Sequence, residues 1–346
     1  MANNRMEQSR VNRSRSDRQK QRHRRKRWIQ ITLLSFLFLF TLVGVFLYQV
    51  WGTMTQTYHP YQTDKREKAV TLNEPFSILL LGADSRDATS NWRPDVILLA
   101  AINPSKHTVR IVSIPRDTYV PIANTGGEYH KINSAAYFGR KKVNPNGPGS
   151  IKNTAETVEH VLNVPIDYYI KVNFKGFTDV VDALGGVDVN VKFPFKQAMI
   201  GGKIASFKPG PKHLNGSEAL AYVRMRKGDT QGDAGRNLRQ QEVITQLLDS
   251  AVSLNSITKV GDLLDSVGNN LSMSISPKDA LRLQSIYRKI PKEQIQSERL
   301  QGENRRLKLW YFFVKDSERQ RVSDLFRTQL GLKKEPVQPF HTKSEE

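Results

Sequence analysis

The chain has 346 residues and a formal charge of +20, contains no cysteine, and is 38% hydrophobic and 25% charged. The lack of cysteine excludes disulfides, thiolate metal sites and a cysteine nucleophile, while the apolar share suffices for one sizeable folded domain. So high a charge invites a nucleic-acid reading, but its placement argues otherwise: residues 1–27 carry eleven Lys and Arg against Glu7 and Asp17, a net +9 that leaves +11 for everything after.

From Trp28 to Trp51 the chain has no charged residue. At about 1.5 Å per residue, Ile29 to Trp51 would form a helix of about 34 Å, enough to cross a hydrocarbon core of roughly 30 Å. Trp28 at one end and Tyr48 with Trp51 at the other stand where headgroup-level aromatics belong. The run Arg22-His23-Arg24-Arg25-Lys26-Arg27 directly before the span predicts a cytoplasmic N-terminus and an external remainder. No small-residue cleavage site follows the span, so an uncleaved, single-pass anchor in the cell membrane is expected. A tethered basic tail of this kind is expected to touch anionic membrane lipid, with no role in binding nucleic acid.

The expected organisation is a basic cytoplasmic tail at 1–27, the span at 28–51, a polar external linker at 52–74, one external domain at 75–332 and an unstructured tail at 333–346. Phe76–Gly82, Val96–Ile102 and Thr108–Ile114 are short apolar runs bounded by turn residues, and predict strands of a buried sheet. Helical patterns follow at Ile132–Phe138, Ser150–Leu162, Phe174–Leu184 and Ala234–Val252. Beyond Thr258 come a weaker helix, a helix at Pro277–Ile290, a strand-like Leu307–Val314 and a last helix at Ser317–Leu330. The fold class is mixed α/β, a β-sheet flanked by helices and preceded by one transmembrane helix.

The short turn Asn103–His107 predicts that the second and third strands are antiparallel. If the first two are antiparallel as well, Asp84, Asp95 and Arg116 gather at one end of the sheet. Two carboxylates and a guanidinium there can grip a hard cation and an anionic ligand. Taken singly, Asp84 reads as a turn former and Arg116-Asp117 as a surface ion pair. A second cluster is Arg224-Met225-Arg226, whose guanidinia share a side if the backbone is extended. Asp233, Arg236 and Gln240 then follow at helical spacing, on the stripe that later carries Val243, Leu247 and Ala251. Inward polar groups at a helix N-terminus suit a phosphate; the competing reading is a buried ion pair of Asp233 with Arg236 or Arg226. The opposite face, with Gln241, Glu242, Thr245 and Asp249, is expected to be solvated. Walker, dinucleotide, zinc-protease and serine-elbow motifs are missing.

The segments LLLGADSR, PDVILLAAINP, SIPRD, HKINSAAYFG, PIDYYIKVNFKGF, VDALGGVDV, LNGSEALAYVRMR and GDAGRNLRQQ, between about Phe76 and Leu248, together resemble the LytR-CpsA-Psr family of Gram-positive bacteria. The resemblance implies a phosphotransferase that moves wall teichoic acid or another anionic glycopolymer from undecaprenyl pyrophosphate to peptidoglycan, at the muramic acid 6-hydroxyl. It implies magnesium or manganese on Asp84 and Asp95, a phosphate grip by Arg116, Arg224, Arg226 and Arg236 with Asp233 and Gln240, and further head-group contacts from Arg86 and Lys131. Pro94 and His130 depart from the family pattern, where a small hydroxyl residue and an Asp are common. The proton acceptor stays open between Asp95 and Asp233. The rival functions are a lipid pyrophosphate hydrolase, a non-catalytic wall-polymer binder and a DNA-binding regulator.

Overall fold

FSILLLGA reads as an almost unbroken apolar run because both faces of the strand it forms are covered, which also removes the usual alternation of a half-exposed strand. In the computed structural model the chain divides into two units, residues 1–52 and 53–346, and the structure describes residues 58–83, 92–143, 150–226, 228–229, 232–252 and 267–340. The expected span at 28–51, Asp84 and Arg86 lie outside the described residues. Among those described, no helix is long and apolar enough to cross a membrane.

The strands are β1 (Phe76–Ala83), β2 (Pro94–Asn103), β3 (Thr108–Ser113), β4 (Tyr119–Pro121), β5 (Tyr129–Lys131), β6 (Tyr168–Asn173), β7 (Val187–Val191), β8 (Phe195–Ala198), β9 (Ile204–Phe207), β10 (Gly210–Leu214), β11 (Leu271–Met273), β12 (Ile295–Arg299), β13 (Glu303–Arg306) and β14 (Trp310–Phe313). The helices are α1 (Ala135–Val143), α2 (Ile151–Leu162), α3 (Phe174–Ala183), α4 (Gly216–Arg224), α5 (Asp233–Val252), α6 (Pro277–Tyr287) and α7 (Asp316–Gln329). A central sheet runs in the order β11-β6-β1-β2-β3-β12. Neighbours β1/β2 and β2/β3 are antiparallel, while β1/β6 and β3/β12 are parallel.

Alternate residues of the sheet feed two cores. Leu79, Leu81 and Ala83 join Val158, Val161 and Leu162 of α2 and Val322 and Phe326 of α7; Phe76, Ile78 and Ile102 join Ile275 and Ile290, with Leu283 and Ile286 of α6 against them. A third core lies among α3, α4, α5 and the small hairpins, where Val181, Val189, Phe207, Tyr222 and Val243 are buried. Local signals set the helix starts. Ser150, Asn173 and Ser276 each accept the third amide of the following helix, and Asn215 forms a capping box with Glu218 at α4.

Two boundary expectations are corrected. The polar stretch assigned to the linker joins the domain from Tyr58 onward: Thr63 and Leu72 are buried, and Arg66 forms two bonds to the buried carboxylate of Asp167, at 2.9 and 3.0 Å. The tail from 333 to 340 has no helix or strand, yet it is packed. Val337 N donates to Gln320 Oε1 at 2.7 Å, and Phe340 lies 3.3 Å beneath the Arg319 guanidinium. Polar composition concealed both, because each is held by side chains distant in sequence.

Candidate active site

The antiparallel pairs bring the end of β1, the start of β2 and the end of β3 to one end of the sheet. Because β6 runs parallel to β1 and pairs Asn173 with Ala83, the start of α3 lies at that end too. There Arg116 donates to Asp95 Oδ1. It also reaches Asp117 at 3.5 Å, and Asp117 in turn accepts from Lys131 Nζ at 2.6 Å. Asp95, Arg116, Asp117 and Lys131 therefore form a chain of alternating charge, with side chains 26–34% exposed. Partial burial works against the Arg116 charge, but the carboxylates of Asp95 and Asp117 outweigh it and hold the pKa above the usual value.

Arg224 reaches the same end of the sheet from the helical side. Gly216 makes this possible, because a Cβ there would come within 2.3 Å of the Thr178 carbonyl oxygen. With α4 packed so closely on α3, the Arg224 guanidinium lies 4.9 Å over the Phe174 ring. Met225 is buried with an extended backbone, while Arg224 and Arg226 are both exposed. The extended backbone expected across Arg224-Met225-Arg226 is present at Met225, while Arg224 still belongs to the helix.

The inward stripe of α5 holds the end of α4. Gln240 is buried and its amide lies 3.5 Å from Val223 O; Arg236 is half-buried. Asp233 is the first residue of α5, and its side chain lies outside the described ones. Sequence reasoning missed Arg239. Its guanidinium donates to Met225 O at 2.7 Å, to Tyr222 O at 3.3 Å and to Asp229 Oδ2 at 2.7 Å, with the pair's side chains only 8% and 3% exposed. These bonds satisfy carbonyls that the end of α4 leaves open. Gly235 makes room for the pair, since a Cβ would sit 1.9 Å from Asp229 Oδ2. The expectation of a solvated opposite face is corrected at Glu242, which accepts from Asn190 N and Tyr222 Oη at 2.9 Å each.

Lys171 was also missed. It pairs with Leu81 on β1, its Nζ lies 4.7 Å over the Trp92 ring, and burial pushes its pKa down. Among the described residues no group of three or more His, Cys, Asp or Glu converges. Asp95 is the described member of the expected metal pair. One or two carboxylates with substrate oxygens and water suit magnesium, so this donor set fits an ion shared with a phosphate ligand better than one caged by protein.

A sequence model described as the LytR_cpsA_psr family matches residues 44–328. The polyisoprenyl-teichoic acid–peptidoglycan teichoic acid transferase TagU of Bacillus licheniformis is 37% identical over 83% of this chain and 91% of its own. Among solved structures, Bacillus subtilis TagV is 34% identical with a TM-score of 0.66, covering 76% of this chain and all of that one. A structure of TagT bound to LI-WTA is 32% identical with a TM-score of 0.63, covering 78% and 97%.

Proposed function

This chain belongs to the LytR_cpsA_psr family, and from that premise we propose that it transfers wall teichoic acid or a similar anionic glycopolymer from undecaprenyl pyrophosphate to peptidoglycan. The observation that carries the reading is that Arg116 and Lys131, paired with the Asp95 and Asp117 carboxylates, share one end of the sheet with Arg224, whose guanidinium lies over Phe174. Relatives named as teichoic acid transferases, and the structure of TagT bound to LI-WTA, support the substrate class.

Phosphoryl transfer is chiefly positioning and charge stabilisation. Arg116, Arg224, Arg226 and Arg236 neutralise the charge that develops as the acceptor hydroxyl attacks the sugar-bearing phosphorus. The new O–P bond forms as the bond to the polyprenyl phosphate breaks; that phosphate leaves, and the hydroxyl proton goes to Asp95 or Asp233. The acceptor is the muramic acid 6-hydroxyl. Gln240 keeps the end of α4 in place, while Arg86 and Lys131 contact the head group. Asp95 with Asp84 would hold magnesium or manganese, which when bound offsets the negative charge of the pyrophosphate. The domain faces outward on a single span at 28–51, with the N-terminus cytoplasmic.

The test is a transfer assay with the full chain in detergent, a synthetic polyprenyl-pyrophosphate saccharide, uncrosslinked glycan strands and magnesium. A phosphodiester-linked glycan made by wild type, and lost in Asp95→Ala and Arg224→Ala, supports the reading. Lipid cleavage without glycan modification would identify a hydrolase, and binding without cleavage a polymer-binding protein.

A further inference from the structure

The β13–β14 hairpin turns an apolar tip to solvent. Leu307, Leu309 and Trp310 are 47%, 58% and 59% exposed, and Leu307 N donates to Leu309 O across the turn at 2.9 Å. Three large apolar side chains together in water mark an interaction surface. Basic side chains border them: Arg306 pairs with Trp310 across the hairpin, Lys308 stands at the tip, and both are exposed. Arg305 is partly neutralised by Glu303 and lies 5.1 Å over the Phe313 ring.

The base of this hairpin is fastened to the candidate site. Phe312 N donates to Asp117 O at 2.9 Å. Tyr311 and Phe313 pack on Tyr119 with ring centroids 4.8 and 5.1 Å apart, and Lys131 Nζ lies 5.5 Å over the Tyr311 ring. Whatever holds the tip therefore also positions Asp117 and Lys131.

We propose that Leu307, Leu309 and Trp310 insert among the headgroups of an anionic lipid surface, with Arg306 and Lys308 against the lipid phosphates. This rests on the reading of a membrane-tethered domain with a lipid-borne substrate; in the sequence only residues 52–57 separate the expected span from Tyr58. The tip chemistry selects lipid over carbohydrate. Sugars are held on flat rings with polar side chains around them, whereas two leucines offer neither ring nor hydrogen bond. Tryptophan with aliphatic neighbours and basic flanks is the make-up of an interfacial anchor, and each cation adds attraction to anionic headgroups. Docked in this way, the hairpin holds the phosphate-gripping end of the sheet near the level at which a carrier lipid bears its pyrophosphate.

The chain has no cysteine, so Leu309→Cys gives one site for an environment-sensitive fluorophore. The labelled full chain is reconstituted in vesicles of phosphatidylcholine with and without phosphatidylglycerol, beside a control labelled through Leu238→Cys at an exposed position of α5. The expected result is blue-shifted emission at 309, quenched several-fold more than at 238 by headgroup-proximal brominated lipid, and markedly reduced by Arg306→Glu with Lys308→Glu. Water-like emission at 309 in both vesicle types, equal quenching at both positions, or a response only to added glycan strands would overturn the proposal, as would quenching indifferent to charge reversal. No transfer substrate is present, so a failure here is separate from a failure of the transfer assay.

Discussion

The two halves of the candidate site handle charge in opposite ways. At the sheet end, Asp95, Arg116, Asp117 and Lys131 neutralise one another while each stays about a quarter to a third exposed. Between α4 and α5, Arg239 and Asp229 form a dry pair that holds the end of α4, where Arg224 and, just beyond the helix, Arg226 are exposed. Half-hydrated pairs of the first kind are worth little to stability and can exchange partners when a ligand arrives. A dry pair of the second kind cannot exchange cheaply, because removing one partner strands a buried charge. The first region is thus suited to binding, and the second to holding the binding groups in place.

This contrast can be tested by substitution. Asp229→Asn should cause the largest loss of stability, about 3–5 kcal/mol, read as a thermal unfolding shift on the order of 10 °C; replacing Arg239 by Met in the same chain should restore part of it. If Asp229→Asn unfolds like wild type, the pair is not a structural hinge. Arg116→Ala should behave inversely, with transfer slowed on the order of 10²-fold and unfolding changed by less than about 1 kcal/mol. Comparable losses in both measurements would erase the distinction between the halves. Gly235→Ala should cost about 1–3 kcal/mol through overpacking against Asp229, and the cost should shrink when Asp229 is already Asn.

The smallest effect is one of pH. Burial lowers the Lys171 pKa from its ordinary value of 10.5, so the folded protein releases this proton before the unfolded chain does. Stability should therefore rise as pH climbs from the lowered pKa towards 10.5. Alkaline melting curves of Lys171→Met should lack that increment; if they keep it, another group is responsible.

The strands and helices that build the sheet end were legible because their apolar periodicity is local. Phe76–Ala83, Thr108–Ser113 and Ile151–Leu162 lie within a residue or so of expectation. Antiparallel pairing followed from a short turn, and with it the meeting of Asp95 and Arg116. Arg239 was not legible, because the buried arc of α5 is wider than the stripe drawn through Arg236, Gln240 and Val243. It is widened on the side where α4 packs, and no residue of α5 announces that neighbour. Glu242 was assigned to solvent for the same reason, since its partners Tyr222 and Asn190 are 20 and 52 residues away. Lys171 sits in an apolar strand as an apparent outward residue until Trp92 covers it.

Both borders of the folded domain are secured on α2. Lys65 Nζ donates to the Glu159 carbonyl oxygen at 3.2 Å and to Asn163 Oδ1 at 3.0 Å, and Asn163 Nδ2 lies 3.3 Å from Pro336 O. Arg319 binds the Val161 and Gln338 carbonyl oxygens at 2.8 and 3.0 Å. The segments at 58–66 and 333–340 thus meet on one helix, and a mechanical load applied at residue 58 would meet the His59–Met273 hydrogen bond and then the Lys65 contacts on α2 before tension reached β1. A circularly permuted chain that joins residue 340 to residue 58 and opens elsewhere would keep α2 clasped from both sides.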